Sequence, residues 1–168
     1  MTIRSATLGF AICEVSHEVS EQGGSNRGPR VDEYLQNTSP PINIAAPWCA
    51  AFIQFCSDTV CRMLPGTENP LDAVKLEAYV QSYYDWASER GLLVAPEDTQ
   101  PGDLALFSFG GERFDHIGFV LGLPNPDGSF ATIEGNTGDR SQRNGDGVFR
   151  KIRSTEAAYG VRFVRWSP

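Results

Sequence analysis

The chain changes texture at Pro96, and that change limits the possible folds more than any other feature of the sequence. Before Pro96, apolar residues recur at three- and four-residue steps; after it, turn signals such as Pro101-Gly102-Asp103 alternate with short β-rich runs. Helical periodicity covers Ala6–Val19 through Leu8, Ala11, Ile12, Val15 and Val19. It returns over Trp48–Met63, where Cys49, Phe52, Ile53, Cys56, Val60 and Met63 share one face. A short helical turn is expected at Val31–Gln36. A further helix should follow the Asn69-Pro70 cap, with Leu76, Tyr79, Val80, Tyr83, Trp86 and Ala87 as a core stripe and Gly91 as its stop. Strands are expected near Leu104–Phe109, Asp115–Leu121, Phe130–Glu134, Val148–Ile152 and Val161–Trp166. Nothing between them is long enough for a parallel crossover, so the sheet should be antiparallel. Helices first and a meandering sheet second describe an α+β domain, with N-terminal helices packed on a C-terminal antiparallel β-sheet.

Size and charge narrow the function. At 168 residues, 40% of them hydrophobic, the chain suits a single domain spanning 1–168 with one sizeable core. The net charge is −7, and the basic residues are scattered apart from a modest C-terminal group, Arg150, Lys151, Arg153, Arg162 and Arg165. Nucleic acid is therefore not an expected partner. No apolar run approaches the length of a membrane span, and the N-terminus lacks the apolar core of a secretory signal. The protein is expected to be made in the cytoplasm and either to act there or to leave by a route without such a peptide. The cysteines Cys13, Cys49, Cys56 and Cys61 are read as reduced thiols, since Cys56 and Cys61 sit five apart on one helix and point to different faces.

Within Ala46-Pro47-Trp48-Cys49-Ala50-Ala51-Phe52, a loop gives way to a helix. Proline favours a first helical turn, so Cys49 is expected there, with unpaired backbone N–H groups and the positive end of the helix dipole beside its sulfur. Such a position favours the thiolate and makes Cys49 the candidate nucleophile. A thiol nucleophile needs a base, and the base needs a polar partner to fix its tautomer. His116 supplies the imidazole; the other histidine, His17, lies on the first helix and is read as a surface residue. The stretch from His116 to Asn136 reads as a hairpin. Centred on Asn125, its register sets His116 directly opposite Glu134, with Asn136 continuing the same face. Trp48 is read as packing beneath the site. The loop Gly138–Gly147 lacks the acidic alternation of a calcium loop and is read as a polar turn bordering the cleft. No cysteine and histidine cluster suggests zinc.

Four ordered motifs, Pro47-Trp48-Cys49-Ala50-Ala51-Phe52, Pro101-Gly102-Asp103-Leu104, His116-Ile117-Gly118-Phe119-Val120 and Ile133-Glu134-Gly135-Asn136-Thr137, resemble those of CHAP domains. These are the cysteine- and histidine-dependent amidohydrolases/peptidases of the NlpC-like, papain-fold superfamily. Glu18–Leu35 also resembles the segment leading to the nucleophile in some members. The resemblance implies a papain-like fold and cleavage of amide bonds in peptidoglycan, as by phage endolysins, bacterial wall hydrolases and some secreted amidase toxins. It implies Cys49 as nucleophile, His116 as general base and then acid, Glu134 as the residue orienting His116, and Asn136 as a further polar partner. No cofactor or metal is expected: Ser25–Asn43 does not reproduce the aspartate-rich calcium loop of some members.

The expected activity is that of a cysteine-dependent peptidoglycan hydrolase, either amidase or endopeptidase, acting through a thioester on stem peptide or cross-bridge. Its partner would be peptidoglycan or a muropeptide. Access to the wall or periplasm would then follow holin- or secretion-system-dependent export. Two alternatives stay open. One is a toxin-type thiol deamidase or acyl transferase acting on a protein and held in check by an immunity protein; the other is a catalytically silent wall-binding module of the same fold.

Overall fold

The computed structural model describes residues 2–138, 145–157 and 160–168. Four helices precede the sheet: α1 (Ile3–Ser16), α2 (Pro29–Asn37), α3 (Cys49–Met63) and α4 (Val80–Glu89). Six strands follow, β1 (Leu93–Val94), β2 (Leu104–Ser108), β3 (His116–Val120), β4 (Ser129–Thr137), β5 (Gly147–Ser154) and β6 (Gly160–Val164). They form one sheet in the order β1-β6-β2-β3-β4-β5, with every neighbouring pair antiparallel. This is the α+β arrangement expected from the order of periodicities, with the helices-then-sheet order that the resemblance to CHAP domains implies. No helix among the described residues is long and apolar enough to cross a membrane, and the four cysteines are free thiols.

The sheet has two packed faces. Ile117, Phe119 and Ile133 pack with α3 in the main core, where the Phe52 and Phe119 rings meet edge to face. Ala105, Phe107, Val120, Phe130 and Phe163 form a smaller apolar cluster on the other. Strand alternation produces this division, and it puts His116 and Glu134, of even number like Val120 and Phe130, on the side of the smaller cluster.

Several expectations about the helices change: α1 ends at Ser16, before Val19, and Ile12 of its expected stripe is exposed. The segment after Asn69-Pro70 is not one helix. Asn69 does cap, its side chain accepting from the Leu71 N–H, but only a 3-10 turn, Pro70–Ala73, follows, and α4 begins at Val80. Leu76 and Tyr79 are consequently exposed instead of belonging to a core stripe. Met63, at the last position of α3, is likewise exposed, while the rest of the expected α3 stripe is buried. The two-residue β1 had no periodicity to reveal it.

The turn Pro101-Gly102-Asp103 ties the chain's two ends together. Gly102 has φ +87°, a conformation suited to glycine, and a Cβ there would meet the Arg4 carbonyl oxygen at 2.6 Å. Fully buried Asp103 accepts from Arg4 of α1, from Arg165 just after β6 (Nη2, 3.0 Å) and from the Gln100 N–H at 2.8 Å. The Trp166 indole donates to the Gly102 carbonyl at 2.8 Å. Removing the carboxylate leaves the largely buried Arg4 guanidinium without its ionic partner, a change that costs about 3–5 kcal/mol. Asp103→Ala is therefore expected to lower the urea midpoint strongly without a change in the site's residues; an unchanged midpoint would contradict the clamp.

Candidate active site

Cys49 is the first helical residue of α3, with Trp48 as the cap and Pro47 one residue before it. The helix thus begins slightly later than a first-turn proline suggests, and the sulfur lies even closer to the unpaired N–H groups of the helix start. Packing places this helix end. A Cβ on Gly135 of β4 would meet Phe52 Cβ and Trp48 Cζ3 at 2.8 Å, so the missing side chain lets α3 sit directly on the strand. Trp48 packs beneath the site as expected: it is fully buried, stacks obliquely on Tyr34, and its indole N–H donates to Glu21 at 3.0 Å.

The hairpin register differs from the one inferred around Asn125. Phe119 pairs with Ile133 and Val120 with Thr132, so the pairings slide by two residues. The cause is the turn. Gly128 N–H donates to Asn125 and Asn125 N–H to Ser129, making Pro126-Asp127-Gly128 the loop, with Gly128 at φ +77°. A three-residue loop that ends in a left-handed glycine absorbs the extra residue as a bulge. Because the slide is even, His116 and Glu134 keep the same face. They are no longer directly opposed: continuing the register sets Gly118 across from Glu134. A Cβ on Gly118 would lie 2.6 Å from Glu134 Cγ. The empty space over Gly118 lets the glutamate chain lie across β3 and reach His116 diagonally.

His116 Nε2 meets Glu134 Oε2 at 2.7 Å, with both residues buried. Cys49 shares the cleft with the imidazole, and Nδ1 is the nitrogen left to face it. Burial alone would lower the His116 pKa, but the neighbouring Cys49 and the Glu134 carboxylate outweigh it and bring it up to about 9. Burial would push Glu134 up, yet hydrogen bonds from Arg153 and His116 hold it at about 2. Glu134 is therefore a fully buried carboxylate, not the solvent-exposed strand-end residue its position before Gly135 would suggest.

Asn136 also reaches the cleft. It has φ +52° and sits where β4 slips its register against β5. In the orientation that satisfies its amide, the nitrogen donates to the Gly145 carbonyl at 2.9 Å and the oxygen accepts from the Trp48 N–H at 3.3 Å. Its hydrogen bonds thus brace the α3 cap, and Glu134 is the group that orients His116. His17 is exposed at the end of α1, away from these residues. Positions 139–144 of the Gly138–Gly147 loop lie outside the described residues.

Cys49, His116 and Asn136 line a cleft of about 370 Å³. Ile42, Leu76, Tyr79 and Phe114 give it apolar walls, and Glu77, Arg113 and Asp115 add charge. Burial pushes Glu77 up to about 7, reinforced by Asp58 and Asp72 and opposed by its bond from the Ser39 N–H. Among the described residues, no group of three or more His, Cys, Asp or Glu side chains is arranged to hold a metal ion. Several residues that shape the site carried no chemical signal in the sequence. Gly118 looked like part of a strand, Thr132 donates to Glu134 Oε1 at 2.6 Å, and Arg153 lay one residue past the expected end of its strand.

A methyl group on Gly118 would push the Glu134 side chain aside. Overpacking of this kind costs about 1–3 kcal/mol. In Gly118→Ala the His116 imidazole should titrate at a lower pH than in wild type, because the imidazolium loses part of its carboxylate contact. NMR titration of the ring proton checks this, and an unchanged midpoint would show that Glu134 does not rely on the glycine gap.

One solved structure aligns over 98% of this chain and 98% of its own, with a TM-score of 0.50 and 17% sequence identity. It is RipD from Mycobacterium tuberculosis, described as a non-catalytic NlpC/p60 domain protein adapted to a peptidoglycan-binding function. That likeness concerns the fold. No curated protein sequence matches significantly. The CHAP domain family model matches residues 42–136, a span that holds Cys49, His116, Glu134 and Asn136 and more than half of the chain. The chain belongs to the CHAP domain family.

Proposed function

We propose that the protein is a cysteine-dependent hydrolase of amide bonds in peptidoglycan, acting as a single catalytic domain. The observation that carries this reading is the contact of Cys49 with His116, itself held by Glu134, on the wall of a cleft open to substrate. An imidazolium beside Cys49 stabilises its thiolate. The thiolate attacks the amide carbonyl, and the Cys49 N–H at the start of α3 is positioned to donate to the developing oxyanion. His116 gives its proton to the leaving amine as the C–N bond breaks, which leaves a thioester. Water then attacks the thioester while neutral His116 takes the water's proton, and the thiolate departs to restore the starting state. Glu134 remains ionised throughout and stabilises the imidazolium at each step.

A silent wall-binding module is the second reading, favoured by the description of RipD as non-catalytic and peptidoglycan-binding. Retention of a thiol beside an imidazole that a carboxylate holds favours hydrolysis over that reading. Action on the wall would require export from the cytoplasm, consistent with a lytic or secreted role.

Purified peptidoglycan incubated with wild type should release new amino groups, and mass spectrometry of the muropeptides would identify the bond. Cys49→Ala and His116→Ala should each lower the rate by about 10³-fold or more. Equal release by both variants would overturn the reading, and wall binding without release by wild type would establish the silent module. His116 is protonated below its raised pKa, so kcat/KM should fall as pH rises through about 9. The stability that the imidazolium contributes should be fully present below the ordinary histidine value near 6.5 and lost across the same rise.

A further inference from the structure

Glu134 is gripped from two sides, and only one of them is the histidine. Arg153 of β5 is buried at 4% exposure. Its Nε donates to Glu134 Oε1 at 2.8 Å and its Nη2 donates to Oε2. The guanidinium carbon lies 5.3 Å from the centroids of both Phe107 and Phe109. The same two rings flank His116, with centroid separations of 5.9 and 5.8 Å. Arg153 therefore shares the aromatic wall of the imidazole and is not among the residues that line the cleft. It also lies beyond the span matched by the family model.

Burying a guanidinium costs several kcal/mol in lost hydration, which only close ionic and hydrogen-bonded contacts offset. Here two such bonds run to the Glu134 carboxylate, and two consequences follow. The rigid fork fixes both oxygens of Glu134, so the direction in which Oε2 accepts from His116 is fixed as well. The charges also alternate along the row: Arg153 positive, Glu134 negative, His116 positive. Without Arg153, the buried Glu134 carboxylate has the imidazolium as its remaining ionic partner here. The imidazolium would then hold its proton more tightly and give it less readily to a leaving amine. Among the described residues, the other charged groups that line the cleft with His116 are Glu77, Arg113 and Asp115; Lys151 of β5 donates its Nζ to the Gly138 carbonyl.

We propose that Arg153 is a positioning residue for the hydrolysis inferred above: it clamps Glu134 from behind, sets the angle of His116, and balances the charge of the row so that His116 can release its proton. The proposal rests on the reading of His116 as the acid and base.

Two variants separate geometry from charge. Arg153→Lys keeps the charge and loses the fork; Arg153→Met loses both. Each is measured for folding by urea denaturation, for His116 titration by NMR, for Cys49 alkylation by iodoacetamide against pH, and for peptidoglycan hydrolysis. Both variants should lower kcat by roughly 10–100-fold with KM changed less than about threefold, as a misdirected catalytic group does. In Arg153→Met, the His116 titration and the alkylation profile should both move to higher pH; in Arg153→Lys they should stay near wild type. A folded Arg153→Met with wild-type kcat and titration overturns the proposal. If Arg153→Met does not fold, Arg153→Lys decides: wild-type kcat in that variant overturns it. Titration and alkylation need no substrate. If wild type fails to cleave peptidoglycan, they still test Arg153, and that failure falls on the functional reading alone.

Discussion

The close approach of α3 to β4 at Gly135 is the contact on which the candidate active site depends. A helix usually rests on a sheet through interleaved side chains, which hold the backbones about 10 Å apart. At Gly135 there is no side chain, and Trp48 and Phe52 descend onto the strand. The first turn of α3 thereby reaches the end of β3, where His116 starts its strand on the other face of the sheet. Asn136, one residue beyond, accepts from the Trp48 N–H and fixes the cap at that depth. Ile133-Glu134-Gly135-Asn136-Thr137 thus supplies the carboxylate, the space and the brace from five consecutive positions. Alternation sends Glu134 to one side and Gly135 to the other, so one strand serves both the helix and the histidine.

Gly118 plays the corresponding part across the hairpin. Glycine in a strand weakens it and is retained where something must come close. Here the visitor is the Glu134 side chain. Gly118 and Gly135 each remove one methyl-sized obstacle, the first between carboxylate and imidazole, the second between helix and sheet. Both lie within motifs whose neighbouring residues carry the chemistry, which gives these glycines a steric role beside the conformational one more often assigned to the residue.

The periodicities before and after Pro96 made the fold class and five of the six strands legible, and the residue types made Cys49, His116 and Glu134 legible as a set. Register was less so. A loop containing two prolines and ending in glycine admits more than one turn, and the bulge at Gly128 is set by backbone torsion that composition does not encode. The error of two residues was harmless because side chains alternate with period two; an error of one would have separated the histidine from the glutamate. Leu76 and Tyr79 matched a helical stripe, yet the chain between Ala73 and Val80 is irregular and presents them at the cleft. Arg153 was out of reach for another reason. It meets Glu134 by lying on the neighbouring strand, and a cation near the end of a basic segment has no one-dimensional mark that distinguishes a buried ion pair from a solvated side chain.

The clamp at Asp103 bears on how the molecule is made. Arg4 lies 99 positions before Asp103, and Arg165 lies 62 after it. On a ribosome the sequence emerges at roughly 5–20 residues per second, so the carboxylate is exposed for several seconds before its second cation exists. β2, which begins beside it, is flanked by β3 and by β6, the last of the six described strands in chain order. The middle of the sheet therefore waits for its far end. Until β6 arrives, the helices can pack on one another while the sheet remains open between β1 and β2. The hairpin of β3 and β4 that carries His116 and Glu134 is thus laid down before the strand that closes its sheet, and the order in which the chain is threaded decides when β2 is enclosed on both sides.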